Sequence, residues 1–153
     1  MCPSIEELDE TDRKLLNIIQ ENADLTYAEI AKILGISQSS VYVRLKRLRE
    51  RGYVRKVIAV LNTEKLGLNL KCFIFINVDT KRYDYVVEVL KEFPEITAIY
   101  DVTGEYTLIA QALTHNQKEL ASLLDKIGNI DGVLSTKTVV VLRTIKENLK
   151  ITL

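Results

Sequence analysis

Between Leu8 and Leu48 apolar residues recur every three or four positions, in three separate blocks. That spacing predicts three amphipathic helices. The first follows "LDETDRKLLNIIQENA", with Asp9 as its N-cap and Leu15, Ile18 and Ile19 as its apolar stripe. The second follows "LTYAEIAKILG". Thr26 and Glu29 make a T-x-x-E capping box, Ile30, Ile33 and Leu34 face inward, and Gly35 stands where a C-cap glycine belongs. The third runs through "SQSSVYVRLKRLRERG", with Ser37 as N-cap and Val41, Leu45 and Leu48 on its inner side. Only "GIS" separates the second helix from the third. Two helices joined by so short a glycine-containing turn make a helix-turn-helix.

After Gly52 the period changes. "YVRKVIAVLN" is rich in β-branched residues and predicts a strand, either a small wing or a linker strand. "TEKLGLN" then marks a boundary between domains. Beyond it, "LKCFIFINVD" predicts a strand and "RYDYVVEVLKEF" a helix with Val86, Val87 and Leu90 inward. "ITAIYDVTG" and "YTLIAQALT" predict two strands joined tightly at Gly104-Glu105. "QKELASLLDKIG" predicts a helix with Leu120, Leu123, Leu124 and Ile127 inward, and "VLSTKTVVVLRTIK" a last strand. The order is βαββαβ, the ferredoxin-like arrangement, so the chain as a whole is of the α+β class. The expected division is a helix-turn-helix domain over residues 1–55, a linker strand and hinge over 56–66, and a sheet domain over 67–153.

A sheet with helices on one side should alternate apolar with polar. Here Leu70, Cys72, Ile74, Ile76 and Val78 mark one face of the first strand, yet Phe73 and Phe75 mark the other. Val139 to Leu142 are apolar in succession. Both faces of the sheet call for burial, which predicts a homodimer through the second domain.

Composition narrows the class. The chain is 47% apolar and 27% charged, and no apolar run reaches the ~18 residues of a membrane span. "MCPSIEELDETDRK" places acids where a signal peptide would be basic and then apolar, which predicts a cytoplasmic protein. Cys2 and Cys72 are far apart, with no disulfide framework or zinc spacing. There is no Walker loop, no G-x-G-x-x-G opening a helix and no readable nucleophile–base pair. No cofactor, metal site or catalytic residue is expected.

Net charge is zero, but its distribution is uneven. Residues 37–56 hold seven Lys/Arg and a single acid, Glu50, whereas residues 1–36 hold three Lys/Arg and eight acids. A local basic footprint matters more than the overall balance for nucleic-acid binding. At about 100° per residue, Ser39, Val43, Lys46 and Glu50 point away from the core side of the third helix, flanked by Tyr42 and Arg47. Small polar, aromatic and apolar groups occupy its exposed N-terminal half, and cations its C-terminal half. A recognition helix uses that division, with base edges met first and phosphates flanking. The candidates near bases are Gln38, Ser39, Tyr42 and Val43, with Ser37 at the cap. Those near phosphates are Arg44, Lys46, Arg47 and Arg49, with Lys56 beyond the helix. The expected partner is double-stranded DNA.

"LDETDRKLL", the "EIAKILGIS" turn and the V-x-x-R-L-K-R-L-x-x-x-G helix resemble the DNA-binding half of the Lrp/AsnC family, the feast/famine regulators. "LNTEKLGL" is similar to that family's linker, and "VTGEYTLIA" to the glycine loop of its effector-binding and oligomerisation domain. The likeness covers nearly the whole chain. It implies a transcription regulator that dimerises through the sheet domain, with dimers assembling further into octamers. It also implies a small effector, usually an amino acid, bound near the glycine loop. By resemblance the effector-binding residues are Gly104, Glu105, Tyr106, Thr107, Thr136 and Thr138. The family's loop commonly reads Gly-x-x-Asp, whereas here Thr107 stands in the acid's place, leaving Asp101 or Glu105 to meet an ammonium group.

Two other readings share this two-domain shape. One is a decarboxylase of the siroheme pathway, for which the second domain offers His115, Arg82 and Arg143. The other is an effector-sensing module without DNA binding, against which the seven cations argue.

Overall fold

The computed structural model describes residues 8–153; residues 1–7, with Cys2 and part of the acidic N-terminal stretch, lie outside the described residues. Contacts group the described chain into two units. One holds the residues up to Val60 together with Lys146–Leu153, and the other is Leu61–Ile145.

The first unit contains α1 (Glu10–Glu21), α2 (Tyr27–Leu34) and α3 (Gln38–Glu50). Each starts at its expected cap. Asp9 Oδ1 accepts the Asp12 N–H at 2.7 Å, and Ser37 Oγ accepts the Ser40 N–H at 3.1 Å. The Thr26–Glu29 box closes in both directions, with Glu29 Oε2 accepting the Thr26 N–H at 2.7 Å. Gly35 ends α2 at a left-handed φ of 67°, a conformation that costs glycine nothing and turns the chain into α3. Leu15, Ile30, Val41, Leu45 and Leu48 meet in one core.

Three expectations are corrected in this unit. Ile33 is 60% exposed, and Ala31 is buried in its stead. The buried arc of α2 runs from Ile30 past Leu34 to Ala31, which leaves Ile33 beyond the other edge of that arc. Residues 54–62 form no strand. Their β-branched side chains suit a pleated surface, but only beside a ladder partner, and none is present among the described residues. The C-terminal segment, expected to close the second domain, contacts α1. Gln20 pairs with both main-chain groups of Ile151, accepting its N–H at 2.9 Å and donating to its C=O at 3.2 Å. Lys150 forms an ion pair with Glu21.

The second unit contains β1 (Leu70–Val78), α4 (Tyr83–Lys91), β2 (Ile96–Asp101), β3 (Leu108–Thr114), α5 (Gln117–Gly128) and β4 (Val133–Val140). The sheet order is β2-β3-β1-β4, antiparallel throughout, as the ferredoxin-like reading requires. Cys72, Ile74, Ile76 and Val78 alternate with half-buried residues along β1 and pack with Leu108, Ala110 and Ala112 of β3. Val86 and Leu90 of α4 and Leu120, Leu123 and Ile127 of α5 join the same cluster, so both helices cover one face. The other face carries Phe73 and Phe75, and among the described residues of this unit no helix packs against it. The last strand is shorter than expected and stops at Val140, although the Val141 N–H still donates to Lys71 C=O at 2.9 Å.

Two glycines near α5 make opposite demands. Gly132 has φ 101°, and a Cβ there would collide with Cβ of Arg82 and lie 3.1 Å from a Val86 methyl. Gly128 closes α5 with open space around it. Gly132→Ala is therefore expected to cost about 1–3 kcal/mol from its backbone alone, before the collision is added. Gly128→Ala is expected to be neutral or to stabilise by up to ~1 kcal/mol. Chemical denaturation of both variants checks the order, and equal effects would contradict the geometry.

Candidate nucleic-acid interface

Three side chains anchor α3 from inside. Val41, Leu45 and Leu48 are at most 2% exposed. Their burial leaves Ser39, Val43, Lys46 and Glu50 exposed, as the wheel expects, together with Gln38, Tyr42 and Arg49, while Arg47 is half-buried. Tyr42 is 50% exposed and Val43 61%, an exposure of apolar surface that the unit's own packing does not require. The Tyr42 ring leans on Tyr27 of α2, with centroids 5.9 Å apart. Ser37 lies at the cap, its Oγ 3.0 Å from Ser39 Oγ and 2.7 Å from Ser40 Oγ. Lys46 is 3.9 Å from Glu50, an exposed pair worth at most ~1 kcal/mol. Lys56 is exposed beyond the helix.

Arg44 and Arg47 sit differently from the expectation of two open phosphate contacts. Arg44 Nη1 lies 2.6 Å from Asp9 Oδ2 and 2.7 Å from Asp12 Oδ1. Arg47 Nη2 lies 2.5 Å from Asp12 Oδ2. Asp12 is 1% exposed, so one buried carboxylate of α1 holds two cations of α3. Reading the sequence missed this role for Asp12, since its spacing from Asp9 reports only a helix start. The Arg44 side chain is 27% exposed and that of Arg47 43%, so Arg47 keeps the larger outward surface.

The hydrogen bond from Arg44, and then that from the Asp12 N–H, hold the Asp9 carboxyl below its ordinary range. The same pairing raises Arg44.

Of the expected effector residues, Tyr106, Thr107, Thr136 and Thr138 meet β1 between Ile74 and Val78. The β2–β3 connection runs from Val102 to Thr107, wider than the tight turn expected at Gly104-Glu105. The Val102 N–H donates to Thr107 C=O, and the Thr107 N–H donates to Ile76 C=O, both at 3.1 Å. Thr107 Oγ1 accepts the Val78 N–H at 3.3 Å, which ties its hydroxyl into the sheet. Tyr106 packs on Phe75 with centroids 5.2 Å apart. Thr136 pairs with Ile76 and Thr138 with Ile74 across the other edge of β1. Thr107 and Thr136 thus flank Ile76 from opposite sides. Gly104, Glu105 and Thr136 are exposed. Asp101 accepts the Tyr83 hydroxyl at 3.0 Å, a bond that raises the Tyr83 pKa.

Residues 8–55 match the family model for winged helix-turn-helix DNA-binding domains, and residues 71–151 match that for the Lrp/AsnC ligand binding domain. The chain belongs to the Lrp/AsnC family. It is a helix-turn-helix transcriptional regulator with a ligand-binding domain. The HTH-type transcriptional regulator FL11 of Pyrococcus furiosus is 41% identical over 140 residues, spanning 92% of this chain and 93% of that one. Among solved structures, AsnC of E. coli superimposes with a TM-score of 0.86 at 30% identity, covering 92% of this chain and 95% of that one. A transcriptional regulator from Neisseria meningitidis in complex with L-Met superimposes with a TM-score of 0.90 at 29% identity, covering 94% and 96%. Among the described residues no helix is long and apolar enough to cross a membrane.

The Asp9 shift fixes the direction of a pH effect. A carboxyl held low when folded contributes stability that is present above its unfolded pKa and is lost as pH falls through the folded value. Urea denaturation from pH 7 down to pH 3 should show that loss, and Asp9→Asn should show a shallower one. Identical slopes would remove the Asp9–Arg44 pair from the account.

Proposed function

We propose that the protein is a homodimeric, sequence-specific DNA-binding regulator of the cytoplasm, whose DNA affinity responds to a small effector of the amino-acid class. The observation that carries the DNA reading is the outward stripe of α3. Gln38, Ser39, Tyr42 and Val43 are assigned to base edges in the major groove, with Ser37 at the helix start. Lys46, Arg47, Arg49 and Lys56 are assigned to phosphates. Arg44 is assigned to α1, because two carboxylates already hold it.

Dimerisation is supported by the uncovered sheet face. Phe73 and Phe75 of β1, Ile109 and Leu113 of β3 and the 46%-exposed Val139 of β4 share the face that no helix covers. A second copy buries them and brings a second α3 to a pseudo-palindromic site, with half-sites about 10 bp apart or a multiple of that. Assembly into octamers extends the same reading. The effector region is the loop Gly104–Thr107 with Thr136 and Thr138. Its class is suggested by the L-Met bound to the Neisseria regulator. Glu105, an exposed carboxylate, is the group assigned to an ammonium, since Asp101 and Thr107 are engaged within the sheet domain. The regulator reading leaves no catalytic role to fill. Of the groups suggested for a decarboxylase, Arg82 lies 2.9 Å from Asp131 and His115 2.9 Å from Glu119.

Fluorescence anisotropy on duplexes enriched from a random-sequence pool tests the DNA assignments. Lys46→Ala should weaken binding to every duplex and flatten the dependence of log K on log salt by about 1. Tyr42→Ala should change which duplexes bind best, and an equal loss on all of them would remove Tyr42 from the base-reading set. Addition of single amino acids should shift the wild-type curve, and indifference to all of them would overturn the effector class.

Light scattering tests the assembly. Wild type should be a dimer or larger, and Phe73→Asp should shift it to monomer because a charge would then lie buried and unpaired in the interface. A monomeric wild type would contradict the sheet-face argument.

A further inference from the structure

A buried carboxylate facing a DNA-binding helix is electrostatically unwelcome, because it subtracts from the positive potential that attracts phosphate. Asp12 is such a group. It is 1% exposed, lies on α1, and spends one oxygen on each of two α3 arginines. Arg44 and Arg47 are three residues apart, on one flank of α3. That flank lies between the core side, Val41, Leu45 and Leu48, and the outward stripe. The apolar contacts hold α3 against the unit, but packing among aliphatic groups tolerates small rotations more readily than directed ion pairs do. Two charge-assisted bonds to one buried carboxylate constrain the rotation of α3 about its own axis. Asp9 adds a second hold on Arg44 at 2.6 Å, and it is itself fixed by capping α1.

We propose that Asp12 is a positioning residue for sequence recognition. It spends the cationic reach of Arg44, and part of that of Arg47, on orienting α3 so that Gln38, Ser39, Tyr42 and Val43 meet base edges in register. The inference rests on the DNA-reading assignment above. It makes a prediction of opposite sign from simple electrostatics. If Asp12 acted only through its charge, its removal would strengthen binding to all DNA. As a positioning residue, its removal weakens binding to the preferred sequence while leaving non-specific binding equal or stronger.

The test uses the full chain, a duplex enriched by wild type from a random-sequence pool, and a scrambled duplex of the same length. Affinities are measured at a temperature where every variant is folded by circular dichroism. Asp12→Asn should lower the ratio of specific to non-specific affinity about tenfold, with the salt dependence on the scrambled duplex unchanged or steeper. Arg44→Gln breaks the Arg44–Asp12 pair, and with it Arg44–Asp9, from the more exposed side while leaving Arg47–Asp12 in place. It guards against loss of folding and should lower the ratio in the same direction. A reduced melting temperature with an unchanged ratio would overturn the proposal in favour of a structural role alone. A parallel rise on both duplexes would overturn it in favour of electrostatics. Absence of any preferred duplex for wild type would overturn the DNA-reading assignment itself, and this inference with it.

Discussion

The first unit depends on a carboxylate with nowhere else to go. An ionised Asp12 buried without partners would cost several kcal/mol, so the fold is committed to supplying cations at that point. Both come from α3, and both approach on the side that faces α1. An apolar residue of similar volume could fill the same space at little loss of stability, as buried ion pairs commonly allow. What the apolar filler lacks is direction. On the proposed reading, the ion pairs orient α3, and the orientation of α3 determines which side chains lie outward for DNA. The caps serve the same end from the helix termini, with Asp9, Thr26, Gly35 and Ser37 fixing where each helix starts or stops.

The second unit is organised by the opposite condition, an excess of apolar surface. Covering one face of a four-stranded sheet with α4 and α5 leaves Phe73, Phe75, Ile109 and Leu113 on the other. The two units therefore do different work within one regulator of the Lrp/AsnC family. On the proposed reading, one presents a charged and polar helix to DNA, and the other offers a sheet face to a second copy and a threonine-rich loop region to a small molecule.

Features that depend on near neighbours were legible in the sequence. Each cap is a residue-type preference acting over three or four positions, and all of those expected for the three N-terminal helices are present. The alternation along β1 and the helical periods of α4 and α5 were legible for the same reason, since each reports one face turned toward one core. Features that depend on distant partners were not. Nothing near Arg44 in the sequence announces Asp9 and Asp12, more than thirty residues away, so Arg44 reads as an ordinary phosphate contact. Gln20 meets Ile151 across nearly the whole chain. The segment after Gly52 has the composition of a strand, but pairing is settled by a neighbour that composition does not reveal. Ile33 fails for a subtler reason. A short helix has room for only one narrow buried arc, and alternative arcs differ by a single residue. For the effector loop, the family resemblance suggested Thr107 as a ligand contact, and the bond its hydroxyl accepts from the Val78 main chain was not legible beside it.

The central claim is that α3 is held by α1 on one flank and reads DNA on the other. A crystal structure of the full chain on its enriched duplex tests it most directly. The account predicts Gln38, Ser39, Tyr42 and Val43 at base edges, Lys46 and Arg49 at phosphates, and Arg44 still bonded to Asp9 and Asp12. An α3 lying away from the major groove, or an Arg44 that has left both carboxylates for the phosphate backbone, would contradict it.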